Sequence, residues 1–295
     1  MATFLGINLF GLFGQLLVGL INGSFYALLS LGLAIIFGLL KIINFAQGAI
    51  YMLGAFGAYL ALQYLGIGYW AALIVVPLVV GLLGILMERF LIRPIANEDH
   101  LYSLLLTFGV ALVLQGLFTH MFGSSGLSYA IPDALKGGTK LPFMYLPNYR
   151  AWIIIASLIV CVGTWWMIEK TKLGAYLRAG TENPALMQAF GINVPLMVTL
   201  TFGFGVALAG FAGVMAAPVY SVSPDMGSNI LIVVFAIVVI GGMGSIGGAI
   251  ITGLGMGIVE GLTKYFYPEA SNTVIFLVMV VVLLIKPAGL FGKEA

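Results

Sequence analysis

An all-α bundle of membrane-crossing helices is the fold class predicted by three features of this sequence. Of its 295 residues 62% are apolar, only 7% are charged, and uncharged apolar runs long enough to span a bilayer recur from end to end. Soluble domains carry about 25% charged residues, so an ordinary globular protein is excluded. The runs do not alternate apolar with polar, which argues against a transmembrane β-barrel. The expectation is a polytopic bundle of about eight or nine segments, forming a single domain over residues 1–295.

Leu9 to Leu40 is the first apolar run, interrupted by Asn22, Gly23 and Ser24 and closed by Lys41. Ile42 to Leu65 follows, with Asn44 and Gln47 near its start, and Tyr69 to Met87 is the third span. A short charged loop (Arg93, Glu98, Asp99, His100) leads to Leu101–Phe122. Gly123 to Arg150 is the longest polar segment, punctuated as a loop by Gly, Pro and Tyr. Trp152–Ile168 and Pro195–Val219 are further spans, and Ser221–Gly227 is a short loop. Asn229 to Tyr267 is too long for one crossing of about twenty residues. Its glycine cluster at 241–248 would break a helix, so it reads as two crossings, or as a crossing and a re-entrant piece. Thr273–Ile285 is the last span and Lys286–Ala295 a tail. Met1 to Phe10 lack the basic start of a cleaved signal peptide, so the first span is expected to stay.

Lysine and arginine counts predict orientation. Lys41, Arg89, Arg93, Lys170, Lys172, Arg178, Lys286 and Lys293 fall on one side, against Lys136, Lys140, Arg150 and Lys264 on the other. The richer side is expected to be cytoplasmic, and with it the stretch 170–194 and the C-terminus.

That stretch is the one segment with the look of a soluble helix. Asn183 suits an N-cap, Pro184 the first helical position, and Gly191 the turn beyond the end. Leu186, Met187 and Phe190 share one face of the helix expected over 184–190. A helix so short needs a surface to rest on, either its own bundle and membrane or a partner.

Forty glycines is about twice average usage, and many recur four residues apart: Gly19 and Gly23, then Gly253, Gly257 and Gly261. Such spacing lets helices approach closely in lipid. Uncharged polar residues also lie within the spans: Asn22, Ser24, Tyr26, Asn44 and Gln47 early on, and Thr107 and Gln115 in the fourth. They are either helix-to-helix hydrogen bonds or the polar lining of a pathway for a small neutral or zwitterionic solute.

Other chemistries find no support. There is no G-x-x-x-x-G-K-S/T phosphate loop, no H-E-x-x-H and no G-x-S-x-G, so neither ATP hydrolysis by that route nor hydrolase chemistry is visible. The net charge of +2 comes without a basic, aromatic-interleaved patch, which speaks against nucleic acid. Cys161 stands alone, excluding an internal disulfide, and the two histidines, His100 and His120, have no ligand-spaced neighbour, so no metal site is expected. Glu260 is the one carboxylate well inside an apolar run; Lys264, four residues on, is its expected ion-pair partner.

Several segments resemble one known family. Asn22-Gly23-Ser24-Phe25-Tyr26-Ala27-Leu28 and Ile43-Asn44-Phe45-Ala46-Gln47-Gly48-Ala49 resemble segments of the high-affinity branched-chain amino-acid permeases of the LivH type. Leu173-Gly174, Arg178-Ala179, Glu182-Asn183-Pro184 and Gly191-Ile192-Asn193 resemble its cytoplasmic loop. The glycine cluster at 241–248 and Lys286-Pro287-Ala288-Gly289-Leu290-Phe291-Gly292 match as well. The resemblance runs from about residue 10 to 292.

The resemblance implies the permease subunit of an ATP-binding-cassette importer in a bacterial inner membrane, not an enzyme itself and holding no cofactor. It implies four kinds of neighbour: a second, LivM-like permease, two cytoplasmic ATPase subunits that bind the ATP, a periplasmic solute-binding protein, and membrane lipid. The short helix then becomes the coupling helix, with Glu182, Pro184, Leu186, Met187, Phe190 and Gly191 facing the ATPase. Relatives often carry alanine where this chain has Leu186 and Met187. Rival readings are a permease for urea, short amides or other amino acids, and a carrier working alone on an ion gradient.

Overall fold

A computed structural model describes residues 3–4, 7–96, 98–141 and 144–292; Lys293 of the orientation count, Met1 and the end of the tail lie outside the described residues. The chain is an all-α bundle. Its helices are α1 (Leu9–Leu40), α2 (Gln47–Leu65), α3 (Tyr69–Met87), α4 (His100–Phe122) and α5 (Asn148–Lys170), then α6 (Lys172–Glu182) and α7 (Pro184–Ala189). There follow α8 (Val194–Ala216), α9 (Met226–Gly241), α10 (Ile246–Phe266) and α11 (Val274–Ile285). Among the described residues seven helices are long and apolar enough to cross a membrane, and α9 and α11 are shorter apolar helices. The loop after α4 carries a small antiparallel hairpin, Gly138–Leu141 against Met144–Pro147.

The long first helix is unbroken. At 32 residues it is about 48 Å long, well beyond the ~30 Å hydrocarbon thickness. Asn22, Gly23 and Ser24 interrupt the apolar run but not the helix; the Ser24 hydroxyl donates back to the Leu20 carbonyl at 2.9 Å. Asn8 caps it by accepting from the Gly11 N–H, and Lys41 ends it in the left-handed region at φ 56°.

The glycines let α1 and α10 lie backbone to backbone. A Cβ on Gly257 would sit 2.3 Å from the Gly19 carbonyl oxygen and 2.3 Å from the Gly23 Cα. No side chain fits there without parting the helices, and in lipid this contact takes the place of a hydrophobic drive. Gly257→Leu is expected to lower the detergent melting temperature sharply, since even ordinary overpacking costs about 1–3 kcal/mol. Gly255→Ala, on the same helix with nothing within 4 Å of its Cβ, should melt as wild type does. Equal melting of the two variants would refute the packing.

The glycine cluster does not make a re-entrant piece. It is a tight turn joining two helices, with Gly242 at φ 96° and Gly244 at φ 93°. It sits at the bundle end against Gly38, whose Cβ would lie 2.4 Å from the Gly244 Cα. The tail folds over it, Leu290 N–H donating to the Ile240 carbonyl at 2.8 Å.

The broken backbone at membrane depth lies elsewhere. The second helix starts at Gln47, not Ile42, and the chain from 41 to 46 turns back inward beside the middle of α8. Asn44 and Ala46 there are buried. On the opposite side, the segment 217–225 also runs inward before α9 begins. The starts of α2 and α9 meet: a Cβ on Gly48 would lie 2.3 Å from the Gly227 oxygen, and one on Gly227 2.2 Å from the Gly48 oxygen.

Candidate functional site

Irregular backbone in the hydrocarbon region must find its hydrogen bonds inside the protein. The polar residues Asn44, Gln47 and Thr107 supply them. Thr107 Oγ1 accepts from the Phe45 N–H at 3.0 Å, and Asn44 Oδ1 accepts from the Ala46 N–H at 3.1 Å. The Asn44 amide donates to Gln47 Oε1 at 3.2 Å, and the Gln47 amide donates to the Gly205 carbonyl at 3.2 Å. These three residues hold helices together around the inward turn.

A separate chamber of about 360 Å³ opens between α1, α2, the 217–225 segment and the first turns of α9. Its polar lining includes Asn22, Tyr26, Tyr51, Tyr220, Ser223 and Asn229. Phe25, Met226, Ile230 and Val233 supply apolar walls. Of the polar residues singled out in the sequence, Asn22 and Tyr26 line the chamber; Ser24, Asn44, Gln47, Thr107 and Gln115 are not in its lining. Gln115 instead donates to Asp225 Oδ1 at 2.7 Å, tying α4 to the segment that precedes α9.

Behind the chamber stands Glu260 of α10. Its two oxygens accept from the Asn22 amide at 3.0 Å and the Tyr26 hydroxyl at 2.7 Å. The Tyr220 hydroxyl donates to Asn22 Oδ1 at 2.6 Å, so a continuous relay runs from the carboxylate to the chamber wall. The expected ion pair with Lys264 does not form. The residue is 8% exposed, and among the described residues no cation lies within ion-pair distance of it. The side chain turns inward to the polar face of α1, where Gly257 and Gly261 have brought α10 close, whereas Lys264 belongs to the last turn of α10.

Tyr51, Tyr220, Asn229 and Glu260 were not on the predicted pathway. They arrive from four separate elements, and only Glu260, the one carboxylate well inside an apolar run, is marked in the sequence.

The second site is α7. Asn183 accepts from the Leu186 N–H at 3.0 Å, Pro184 opens the helix and Gly191 follows it at φ 80°. The helix proper ends at Ala189, one residue short of the 184–190 expectation, with Phe190 as its C-cap. The sequence reading also missed α6, an amphipathic helix that turns Gly174, Leu177 and Gly180 inward and ends at Glu182. Met187 is buried and pins α7 to the body of the protein, whereas Leu186 is 53% and Phe190 74% exposed. Glu182, Pro184 and Gly191 are exposed beside them.

A third cluster links this region to α3. After Met87 the helix widens into a π turn over Glu88–Ile92. An i→i+5 turn puts residues five apart together, and Arg93 donates to both Glu88 oxygens at 3.2 Å. Thr199 of α8 donates to the same carboxylate at 2.7 Å, and Arg93 also reaches Thr199 and the Pro195 carbonyl.

Comparison with known proteins adds a family. The model of the branched-chain amino acid transport system / permease component family matches residues 15–283. The chain is 31% identical to the high-affinity branched-chain amino acid transport system permease protein LivH of Salmonella typhimurium, covering 95% of each chain. It is 30% identical to the corresponding permease protein BraD of Pseudomonas aeruginosa, again covering 95% of each. A permease protein LivM of Escherichia coli is 28% identical over 90% of this chain and 67% of its own length.

Proposed function

The chain belongs to the branched-chain amino acid transport permease family, and from that premise we propose that it is the permease subunit of an ATP-binding-cassette importer for branched-chain amino acids. The observation that carries this reading is α7. A capped helix with Leu186 and Phe190 bare stands outside the bundle, on the face that carries Lys170 and Lys172. An apolar pair on a short helix at an aqueous face calls for a covering partner.

That partner is an ATPase subunit, one of two, and this face is cytoplasmic together with the C-terminus. The permease holds no cofactor and hydrolyses nothing; ATP is bound by its neighbours. Closure of the ATPase pair moves α7, and the bundle alternates access to a polar chamber near mid-membrane. A second permease of the LivM kind pairs with this one, a reading supported by relatives of both kinds aligning along the chain. A periplasmic binding protein delivers the solute to the other face, and the whole lies in the bacterial inner membrane. Nucleic acid has no part in it. The apolar walls Phe25, Ile230 and Val233 favour an aliphatic side chain over urea or a short amide.

Reconstitution tests the proposal. The chain alone in liposomes is expected to give no uptake of labelled leucine. Adding the second permease, ATPases, binding protein and ATP should produce it. Flux by the chain alone under an ion gradient would favour the rival carrier and defeat the importer reading.

A further inference from the structure

We infer that the chamber between α1, α2 and α9 is a binding site for one amino-acid zwitterion, with the Glu260-backed wall taking the ammonium group and Tyr51 taking the carboxylate. The inference rests on the transport reading above and assigns the residues of the site. Two independent observations lead to it.

The first is a carboxylate without a counter-charge. An ionisable side chain at membrane depth is costly and calls for a partner. Among the described residues Glu260 finds only neutral donors, Asn22 and Tyr26. The Tyr26 hydroxyl hydrogen and one of the two Asn22 amide hydrogens are spent on the carboxylate, which leaves two acceptors beside it: Asn22 Oδ1, already holding Tyr220, and the Tyr26 oxygen. Acceptors polarised by a negative group one bond behind them suit an ammonium group. They repel a carboxylate.

The second is a donor without an acceptor. Tyr51 is 2% exposed and lines the chamber, yet among the described residues nothing accepts from its hydroxyl. That hydroxyl opens on the chamber, where a ligand oxygen would accept its hydrogen. The first turn of α9 opens on the same space through Met226 and Asn229, and its N-terminal end favours negative charge. Asp225, the N-cap of that helix, is not in the chamber's lining and accepts from the Gln115 amide at 2.7 Å. A volume of about 360 Å³ lies at the small end of ligand pockets, right for one small solute and too small for a peptide.

The test measures melting temperature for the assembled membrane complex, freed of its soluble binding protein, with three probes. Leucine has both charged groups, 3-methylbutylamine lacks the carboxylate, and 4-methylpentanoate lacks the ammonium. Leucine is expected to raise the midpoint of the wild type, the amine to do so more weakly, and the acid not at all. Glu260→Gln should weaken leucine and the amine by about tenfold or more, equivalent to about 1.4 kcal/mol. Tyr51→Phe removes only the free hydroxyl; it should weaken leucine and leave the amine unchanged.

If Glu260→Gln does not assemble, the Tyr51→Phe comparison decides alone. No leucine effect on the wild type, or an equal effect of the deaminated acid, overturns the site. ATP-driven leucine uptake is the separate check on the transport reading. Uptake without a midpoint shift removes the chamber and keeps the importer, whereas a shift without uptake does the reverse.

Discussion

Aspartate at both Leu186 and Phe190 is expected to release the ATPase subunits, with recovery in affinity purification falling a hundredfold or more and leucine uptake lost. These two side chains are the apolar surface that α7 offers to solvent, at 53% and 74% exposure. Buried in a partner, each contributes about 1.5–3 kcal/mol, and apolar anchors of this kind carry most of an interface's energy. Every 1.4 kcal/mol is a factor of about ten, so losing both anchors removes stable association. The loop itself should stay folded, because its cap through Asn183 and its anchor at Met187 are untouched. Met187→Asp carries the opposite signature: it buries a charge under α7 and should disorder the loop, raising its protease sensitivity. Gln188→Ala, on the exposed surface, should leave recovery unchanged. Stoichiometric recovery of the ATPases with the double aspartate variant would end the docking proposal.

The α7 ends were legible in the sequence because capping is local chemistry. Asn183, Pro184 and Gly191 lie within a few residues of the groups they serve, and the structure shows each doing so. The apolar spans were legible for a similar reason, since hydropathy needs no partner. The start of α2 was not. Residues 42–46 are mostly apolar, and a threonine 62 positions from Phe45 and a glycine carbonyl on α8 take up the polar groups of their inward turn. Thr107 and Gln115 of the fourth span read together in the sequence, either as helix-to-helix hydrogen bonds or as pathway lining. Yet one serves the chain near Phe45 and the other Asp225, because the two inward segments enter from opposite sides. Glu260 shows the same limit from the other direction. Spacing along α10 offered Lys264, but the residue that matters is across the glycine seam on α1.

The cluster of Glu88, Arg93 and Thr199 carries the second large effect, and it separates stability from coupling. Glu88 is 2% exposed, so Arg93→Met leaves a buried carboxylate with Thr199 as its one remaining side-chain donor among the described residues. Breaking one side of a buried pair costs about 3–5 kcal/mol; Arg93 is partly exposed, so the lower end is expected. The melting temperature should fall accordingly, and Glu88→Gln in the same chain should restore most of it, since replacing both partners removes the stranded charge. Transport is expected not to follow stability. Arg93 also holds the Pro195 carbonyl, at the start of the helix that follows α7, so the pair joins α3 to the segment α7 would move. The restored double variant should therefore fold, keep its ATPases and hydrolyse ATP, while leucine uptake per ATP falls about tenfold. A wild-type ratio of uptake to hydrolysis in that variant would show that α3 moves with α8 by packing alone, as the glycine contacts between Gly81, Gly84, Gly203 and Val206 would then have to provide.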